Sequence, residues 1–289
     1  EIQYTYTSDR FIADDMTVLA EHITGPGIVQ IDFQQRPDPI LHCIRSDGVL
    51  LTFTYNPRHN VEAWAEHTTG TTDDFNSVAV IPDVNEDTVY AMVRRDIGGN
   101  SVGYIECFQP MDWGADTNDC FFVDSGLNAI TGLSHLEGST VALWANGRPI
   151  ASQHGTGNPF VVTAGVIDPN DPNLTEFTVG LPFTSVYESM PVVGTQDGLN
   201  SSLMKTAVLQ VNLDFQETLA CNIGRDTTNK TSILFSDDSF ATTIAPFTGI
   251  KAVTFPRGIN RSMTVYMDTN SSAPFCLRSL NPLVEVASD

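Results

Sequence analysis

Short runs that alternate apolar and polar residues at every second position dominate the chain from Ile28 to Tyr104, and their arrangement occurs twice. The first copy is IVQIDFQQRPDPILHCIRSDG, Ile28 to Gly48, and the second is FNSVAVIPDVNEDTVYAMVRRD, Phe75 to Asp96. Each reads as a strand, an acidic loop containing proline, a β-branched strand, and an Arg-x-Asp or Arg-Arg-Asp turn. A unit of short strands recurring after roughly 40 to 50 residues is the signature of propeller blades, because one blade cannot cover both faces of its own sheet. Two copies do not close a propeller, so the alternatives are part of a longer array or a meander packed on something else.

Asp47-Gly48 separates Ile40–Arg45 from Val49–Tyr55, the Asp-Gly signal of a hairpin, since glycine tolerates the positive φ of such a turn. Leu51, Phe53 and Tyr55 alternate with Leu50, Thr52 and Thr54 at strand period. Pro57 presets the next turn, and Val61 to Glu66 forms a further strand carrying Trp64. Upstream, residues 1 to 12 predict a strand and a turn at Ser8-Asp9. Met16, Leu19, Ala20 and Ile23 follow Asp14-Asp15 at helical spacing, which predicts one short helix near the N-terminus ending at Gly25-Pro26-Gly27. A competing strand reading comes from the echo of Ala20-Glu21-His22 in Ala65-Glu66-His67.

Beyond the strand Gly103 to Phe108, the acidic connection Pro110 to Asp119 marks a boundary. Strands are then expected at Cys120–Val123 and Thr140–Trp144, with a turn at Asn146-Gly147 and a return through Gly155–Gly165. From Leu199 onward, Thr206–Leu213, Thr231–Phe235, Ile250–Phe255 and Met263–Met267 read as strands, with Ile223–Lys230 and Ser236–Ser239 as exposed loops. The expected class is all-β, divided into a blade-like region 1–109, a central β domain 110–196 and a C-terminal β domain 197–289. The glycines (21) and prolines (16), scattered through β-rich runs, agree with that class. The chain opens on Glu1 instead of Met, so upstream sequence is expected.

Charge changes the picture most. Thirty-five acids against 14 bases give a net charge of −21, the opposite of a nucleic-acid-gripping footprint. An acidic wall suits a polyanion that slides past. One carboxylate and one phosphate at 10 Å repel by only ~0.4 kcal/mol in water, so the effect needs many acids in an array; solubility is the alternative role. No run reaches the ~20 apolar residues of a bilayer span. Five cysteines at wide spacing, without C-x-x-C, read as buried thiols.

Candidate chemistry is sparse. G-x-S-x-G, H-E-x-x-H and a phosphate loop are absent from the sequence. His22, His42, His59, His67, His135 and His154 are dispersed; His135, in the most motif-like run, reads as a turn residue that places Leu133 and Leu136 in the core. Asp112, Asp116 and Asp119 lack the spacing and closing Glu of a calcium loop, and IDPNDPNLTE, with Asp168, Asn170, Asp171 and Asn173, reads as a rigid turn with calcium as the alternative. A glycosidase pair of carboxylates has no sequence signature to test here. No metal or cofactor is expected.

Gly132-Leu133-Ser134-His135-Leu136-Glu137-Gly138, Val141–Gly147 and Gly180-Leu181-Pro182-Phe183 resemble an ordered series of motifs in the tail nozzle proteins of short-tailed phages, also called tail tubular protein B. Ala20-Glu21-His22, Gln34-Gln35-x-Pro37, Arg45-x-Asp47-Gly48-x-Leu50, Leu51-Thr52-x-Thr54-Tyr55 and Ala63-Trp64-x-x-His67 are similar to the blade region of that family, and Pro274, Cys276 and Leu277 to its closing strand. The resemblance runs from about Phe11 to Val284. It departs where the family's usual Pro-Leu-Pro is Ala273-Pro274-Phe275, and because the family's proteins are longer, so that this chain corresponds to their C-terminal part. It implies propeller-like blades followed by β-sandwich or barrel-like domains, and a homohexameric tube through which DNA passes during ejection. It also implies contacts with head-tail adaptor and tail fibre or tip proteins, residence in the virion tail, and assembly in the host cytoplasm. Under that expectation the protein is not an enzyme, and Asp112, Asp116, Asp119, Asp237 and Asp238 are candidates for loops facing the lumen or a neighbouring subunit. The alternative from another class is a carbohydrate-binding or hydrolysing receptor-binding module in which Trp64, Trp113 and Trp144 stack on sugar.

Overall fold

The computed structural model describes residues 2–7, 9–59, 61–69, 74–109, 123–146, 148–192, 195–196, 199–200, 205–233, 235, 246–269, 272 and 274–287. Among the described residues strands take 55% and helices 3%, arranged in several sheets none of which closes into a barrel, so the class is all-β. The chain divides into two compact units, Glu1–Met111 and Asp112–Asp289.

The first unit opens with a hairpin, β1 (Ile2–Thr5) against β2 (Arg10–Ala13). The expected helix amounts to a single turn, α1 (Glu21–Thr24). Asp15 accepts bonds from the Thr17 N–H and hydroxyl at 2.8 and 2.7 Å, which fastens a turn where a longer helix would begin. Two antiparallel meanders follow. The first is β3 (Ile28–Gln34), β4 (Ile40–Arg45), β5 (Leu50–Asn56) and β6 (Val61–His67); the second is β7 (Asp74–Ile81), β8 (Thr88–Ile97) and β9 (Asn100–Cys107). The repeated sequence segments are thus the hairpins β3–β4 and β7–β8. Ile44 and Leu50 from one meander and Phe75, Val78, Val89, Ala91 and Val93 from the other bury a common core.

Polar bonds fasten the same two sheets. Gln30 Nε2 donates to the Val78 carbonyl at 2.8 Å while its Oε1 accepts the Val78 N–H, and Asp32 Oδ2 accepts the Val80 N–H at 2.7 Å. These side chains satisfy backbone groups on the edge of β7 that no strand pairs. The acidic proline loops also meet: Asp87 accepts the Gln35 and Arg36 N–H groups at 2.8 and 3.0 Å, and Arg36 donates to the Val84 and Asp83 carbonyls. The two N–H bonds and the Arg36 charge hold the Asp87 carboxyl below its usual pKa. With Gln30 and Asp32 turned inward, β3 presents Val29, Ile31 and Phe33 to solvent; on the opposite sheet Met92 and Ile105, cross-strand partners, are exposed as well.

The expected turn at Arg94-Arg95-Asp96 is strand instead. Arg95 falls in the buried alternation Val89, Ala91, Val93, Arg95, Ile97 of β8, where its Nε meets Glu106 Oε1 on β9 at 2.6 Å. Pairing on the neighbouring strand lets a charge continue a core-facing stripe. The turn itself is Gly98-Gly99, both at positive φ, as a two-residue hairpin requires. Gly48 ends the β4–β5 turn at φ +86°, and a Cβ there would lie 2.7 Å from Asp74 Oδ1.

The second unit contains β10 (Asp124–Leu127), β11 (Thr140–Ala145), β12 (Arg148–Ile150), β13 (Phe160–Val161), β14 (Phe177–Leu181), β15 (Ser185–Glu188), β16 (Thr195–Gln196), β17 (Leu199–Asn200), β18 (Lys205–Thr218), β19 (Cys221–Gly224), β20 (Lys230–Ile233), β21 (Phe247–Thr254), β22 (Tyr266–Thr269) and β23 (Leu277–Ala287). One sheet has the order β10-β14-β11-β12 with β13 beside β11, another β15-β22-β19-β20, a third β21-β18-β23, and β16 pairs with β17. Strand β15 thus joins a sheet built otherwise of residues after 220. Val208, Val211, Leu213 and Phe215 of β18 share a buried cluster with Ile223, Ile233 and Met267 from the β15–β20 sheet. The expected loop Ile223–Lys230 is therefore only 225–229, because Ile223 belongs to that core; the expected strand Met263–Met267 is displaced to β22, where Tyr266 and Met267 pair with Glu188 and Tyr187. Of the strand expected at Cys120–Val123, residues 120–122 lie outside the described residues.

Two outcomes follow. Gly48→Ala should destabilise the chain by roughly 1–3 kcal/mol in denaturant titration, from strain at positive φ and the collision with Asp74. His42, buried between the meanders with Nε2 at 3.0 Å from Gln34 Oε1, has its pKa pulled down to about 4 by burial, then by the neighbouring His67. A folded value below the unfolded one means the unfolded chain binds the proton first. Stability is then full above pH ~6.5 and falls by on the order of 3 kcal/mol as the pH drops toward 4. Urea titrations at several pH values should show this slope in the native chain and a shallower one in His42→Gln.

Candidate functional site

The run Gly132–Gly138, the most motif-like in the sequence, folds as a short 3₁₀ turn, Ser134–Leu136, with Leu133 and Leu136 completely buried. Its anchor is Glu137. One carboxylate oxygen accepts the Ala164 N–H at 2.8 Å and the other the Gly165 N–H at 2.7 Å. Ala164 and Gly165 both have positive φ, forming the two-residue turn between Thr163 and Val166 whose strained backbone presents its N–H groups side by side. Leu133 N–H to Gly165 C=O and Gly138 N–H to Val162 C=O complete the seam. His135 is half-buried and lies within that turn, where it was expected. Nothing in the sequence pattern marked Glu137; a carboxylate 27 residues ahead of an Ala-Gly turn carries no local signal.

Asn146 works in the same manner. Its φ of +50° opens the β11–β12 turn, its Oδ1 accepts the Thr175 and Glu176 N–H groups at 2.9 and 3.1 Å, and its Nδ2 donates to the Asn173 carbonyl. In the Asp168–Asn173 segment, Asp168 accepts the Asn170 N–H at 2.8 Å and Asp171 the Asn173 N–H at 2.9 Å. These carboxylates close their own turns, and the Asn170 amide donates to the His154 carbonyl. A shallow cavity of about 470 Å³ lies over this segment, walled by Ile130, Leu174 and Phe177. Among the described residues no three His, Cys, Asp or Glu side chains gather where they could hold a metal ion.

The densest buried polar group sits on the β15–β20 sheet. Asp268 accepts bonds from Asn222 Nδ2 at 2.8 Å, from the Tyr266 hydroxyl at 3.1 Å and from Lys230 Nζ, and Ser232 donates to Asn222 Oδ1 at 2.7 Å. Burial raises the pKa of Asp268, but Lys230, Asn222 and Tyr266 together outweigh it and leave the carboxyl below its ordinary range. Burial, reinforced by Asp268, pushes the Cys221 thiol up to about 12, and burial raises that of Cys43 to about 11. Thiols so disfavoured as thiolates are poor nucleophiles.

Two of the three tryptophans fall on described residues. Trp144 is 1% exposed in the core of the second unit. Trp64 stacks on Phe53 with ring centres 4.5 Å apart, and its Nε1 donates to the Met16 carbonyl at 3.0 Å. A cleft of about 410 Å³ opens beside this pair, lined also by Val18 and Leu19. The candidate lumen or interface acids Asp112, Asp116, Asp119, Asp237 and Asp238 lie outside the described residues, as does Trp113. No helix among the described residues is long and apolar enough to cross a membrane.

No family model and no curated protein matches the chain.

Glu137→Ala should lower stability by roughly 1–2 kcal/mol, since the exposed Ala164 N–H and the buried Gly165 N–H lose a charged acceptor. Thermal unfolding against Glu137→Gln, which keeps one acceptor oxygen, should place the amide variant between the native chain and the alanine variant.

Proposed function

We propose that this chain is a structural component of a phage tail, part of a sixfold tube or nozzle through which DNA passes during ejection. The observation that carries the reading is the conversion of its motif-like runs into fasteners. Glu137, in the Gly-Leu-Ser-His-Leu-Glu-Gly run, clamps a turn, and Asn146, in the Val141–Gly147 run, ties two loops together. Residue types that in an enzyme would face a substrate face the protein's own backbone. The ordered resemblance to tail nozzle proteins supplies the assembly, and the fold supports it at the level of class.

In this reading the two packed meanders are successive blades. Their outward apolar residues, Val29, Ile31 and Phe33 on one sheet and Met92 and Ile105 on the other, are the surfaces against which further blades stack. The shared core of the β21-β18-β23 and β15–β20 sheets corresponds to a β-sandwich domain. Six copies surround the tail axis, adaptor and tail fibre or tip proteins contact the ends, and assembly takes place in the host cytoplasm. The net charge of −21 gives the conduit a wall that DNA does not adhere to. The sugar-stacking alternative has less support, because Trp144 is enclosed and Trp64 already stacks on Phe53.

Electron microscopy of the purified chain, and of a longer parent if one exists, should show sixfold rings with an open axis. Monomers or trimers that bind glycan arrays would reject the conduit in favour of the receptor-binding module.

A further inference from the structure

Basic side chains are scarce, 14 against 35 acids. Six of them pair with a described acid: Arg36 with Asp87, Arg45 with Asp47 and Glu66, Arg94 with Asp74, Arg95 with Glu106, Lys230 with Asp268 and Arg278 with Asp214. Arg10, Arg58 and Arg148 stand far apart in sequence, whereas three further arginines gather on one connection. Arg257 and Arg261 stand exposed on the connection between Phe255 and Met263, and Arg225 lies across the middle of that connection, so close that a Cβ at Gly258 would collide with its guanidinium. Among the described residues none of these three arginines has an ion pair with a carboxylate, and Arg225 Nε is buried without a hydrogen-bond partner. Asp226, the acid nearest Arg225 in sequence, feels its charge but makes its hydrogen bonds to Thr228 through Oδ1 and to Asn229 through both oxygens.

The same connection is rigid and carries an apolar tip. Asn260 and Thr206 exchange backbone bonds of 2.8 and 3.1 Å, Phe255 N–H bonds the Leu209 carbonyl at 3.0 Å, and Asn260 Oδ1 accepts the Arg261 N–H at 2.7 Å. Between the two outer arginines Ile259 is 61% exposed. An aliphatic side chain at the centre with arginines around it, on a backbone already fixed, is the composition of a protein-docking surface. It fits a nucleic acid poorly. Three arginines neutralise few phosphates, and the rest of the chain repels a polyanion.

We propose that the Phe255–Met263 loop, with Arg225, docks on an acidic surface of a second copy of this chain. Charge complementarity selects that partner: each copy offers 35 acids against 14 bases, and three of those bases gather at this loop. A basic loop meeting an acidic face is a heterologous contact, which adds subunits head to tail and closes into a ring when the rotation permits. The closure of that ring rests on the conduit reading above.

Sedimentation velocity on the full chain tests this at low and high ionic strength. Self-association should weaken as salt rises, and Arg257→Glu/Arg261→Glu should weaken it by at least about tenfold at low salt with an unchanged melting temperature. Ile259→Ala should weaken association at every salt concentration. Association in the double variant as tight as in the native chain would overturn the docking loop and leave the ring reading standing. A native chain that is monomeric throughout would overturn both. Binding of a labelled DNA duplex that the double variant loses, with self-association unchanged, would overturn the second copy as the partner and assign the loop to phosphate.

Discussion

The edge of β7 is the place where the first unit would come apart, and the side chains of Gln30 and Asp32 prevent it. A strand edge offers N–H and C=O groups that must find partners or face water. Here two side chains from the opposing sheet supply the partners, matching the Val78 N–H and carbonyl and the Val80 N–H. The apolar contact of Ile44 and Leu50 with Phe75, Val78 and Val93 is thereby given one alignment. Hydrophobic burial is non-directional, while three hydrogen bonds with fixed donors and acceptors are not. Asp87, which binds the loop between β3 and β4, extends the same alignment beyond the strands.

The second unit uses the same device in other places. Glu137 and Asn146 each join a turn to a segment more than 25 residues distant, and Asp268 gathers Asn222, Lys230 and Tyr266. Ions in such positions add little net stability compared with well-packed apolar residues, but losing one partner is costly because the other remains desolvated. A chain built this way is intolerant of change at a few polar positions and permissive over most of its surface.

The sequence discloses the short-range part of this architecture. Asp47-Gly48 and the alternation of Leu51, Phe53 and Tyr55 define a hairpin because turn chemistry and period-two patterning are local. Where a long-range pair overrides local chemistry, the reading falls short. Arg95 looks like a turn residue until Glu106 on the next strand neutralises it. Ile223 looks like the start of a loop until β18 encloses it. Helical spacing from Met16 to Ile23 yields one turn, since Asp15 fastens Thr17 instead. The clamp at Glu137 was invisible for the same reason, its partners being 27 and 28 residues away. The acids chosen as lumen candidates fall outside the described residues. The proposed sixfold assembly is a relation between chains, which a single chain's local patterning does not encode.

Strand β3 wears its side chains inside out, with glutamine and aspartate toward the neighbouring sheet and valine, isoleucine and phenylalanine toward solvent. Sliding it by one residue against β4 would exchange the two sets, and hydrophobicity by itself would favour that mistake. The correct alignment therefore holds against the oily side's own preference, through amide and carboxylate bonds added to the β3–β4 ladder. Any surface that covers the exposed stripe would bury valine, isoleucine and phenylalanine without disturbing the polar side and so remove the incentive to slip.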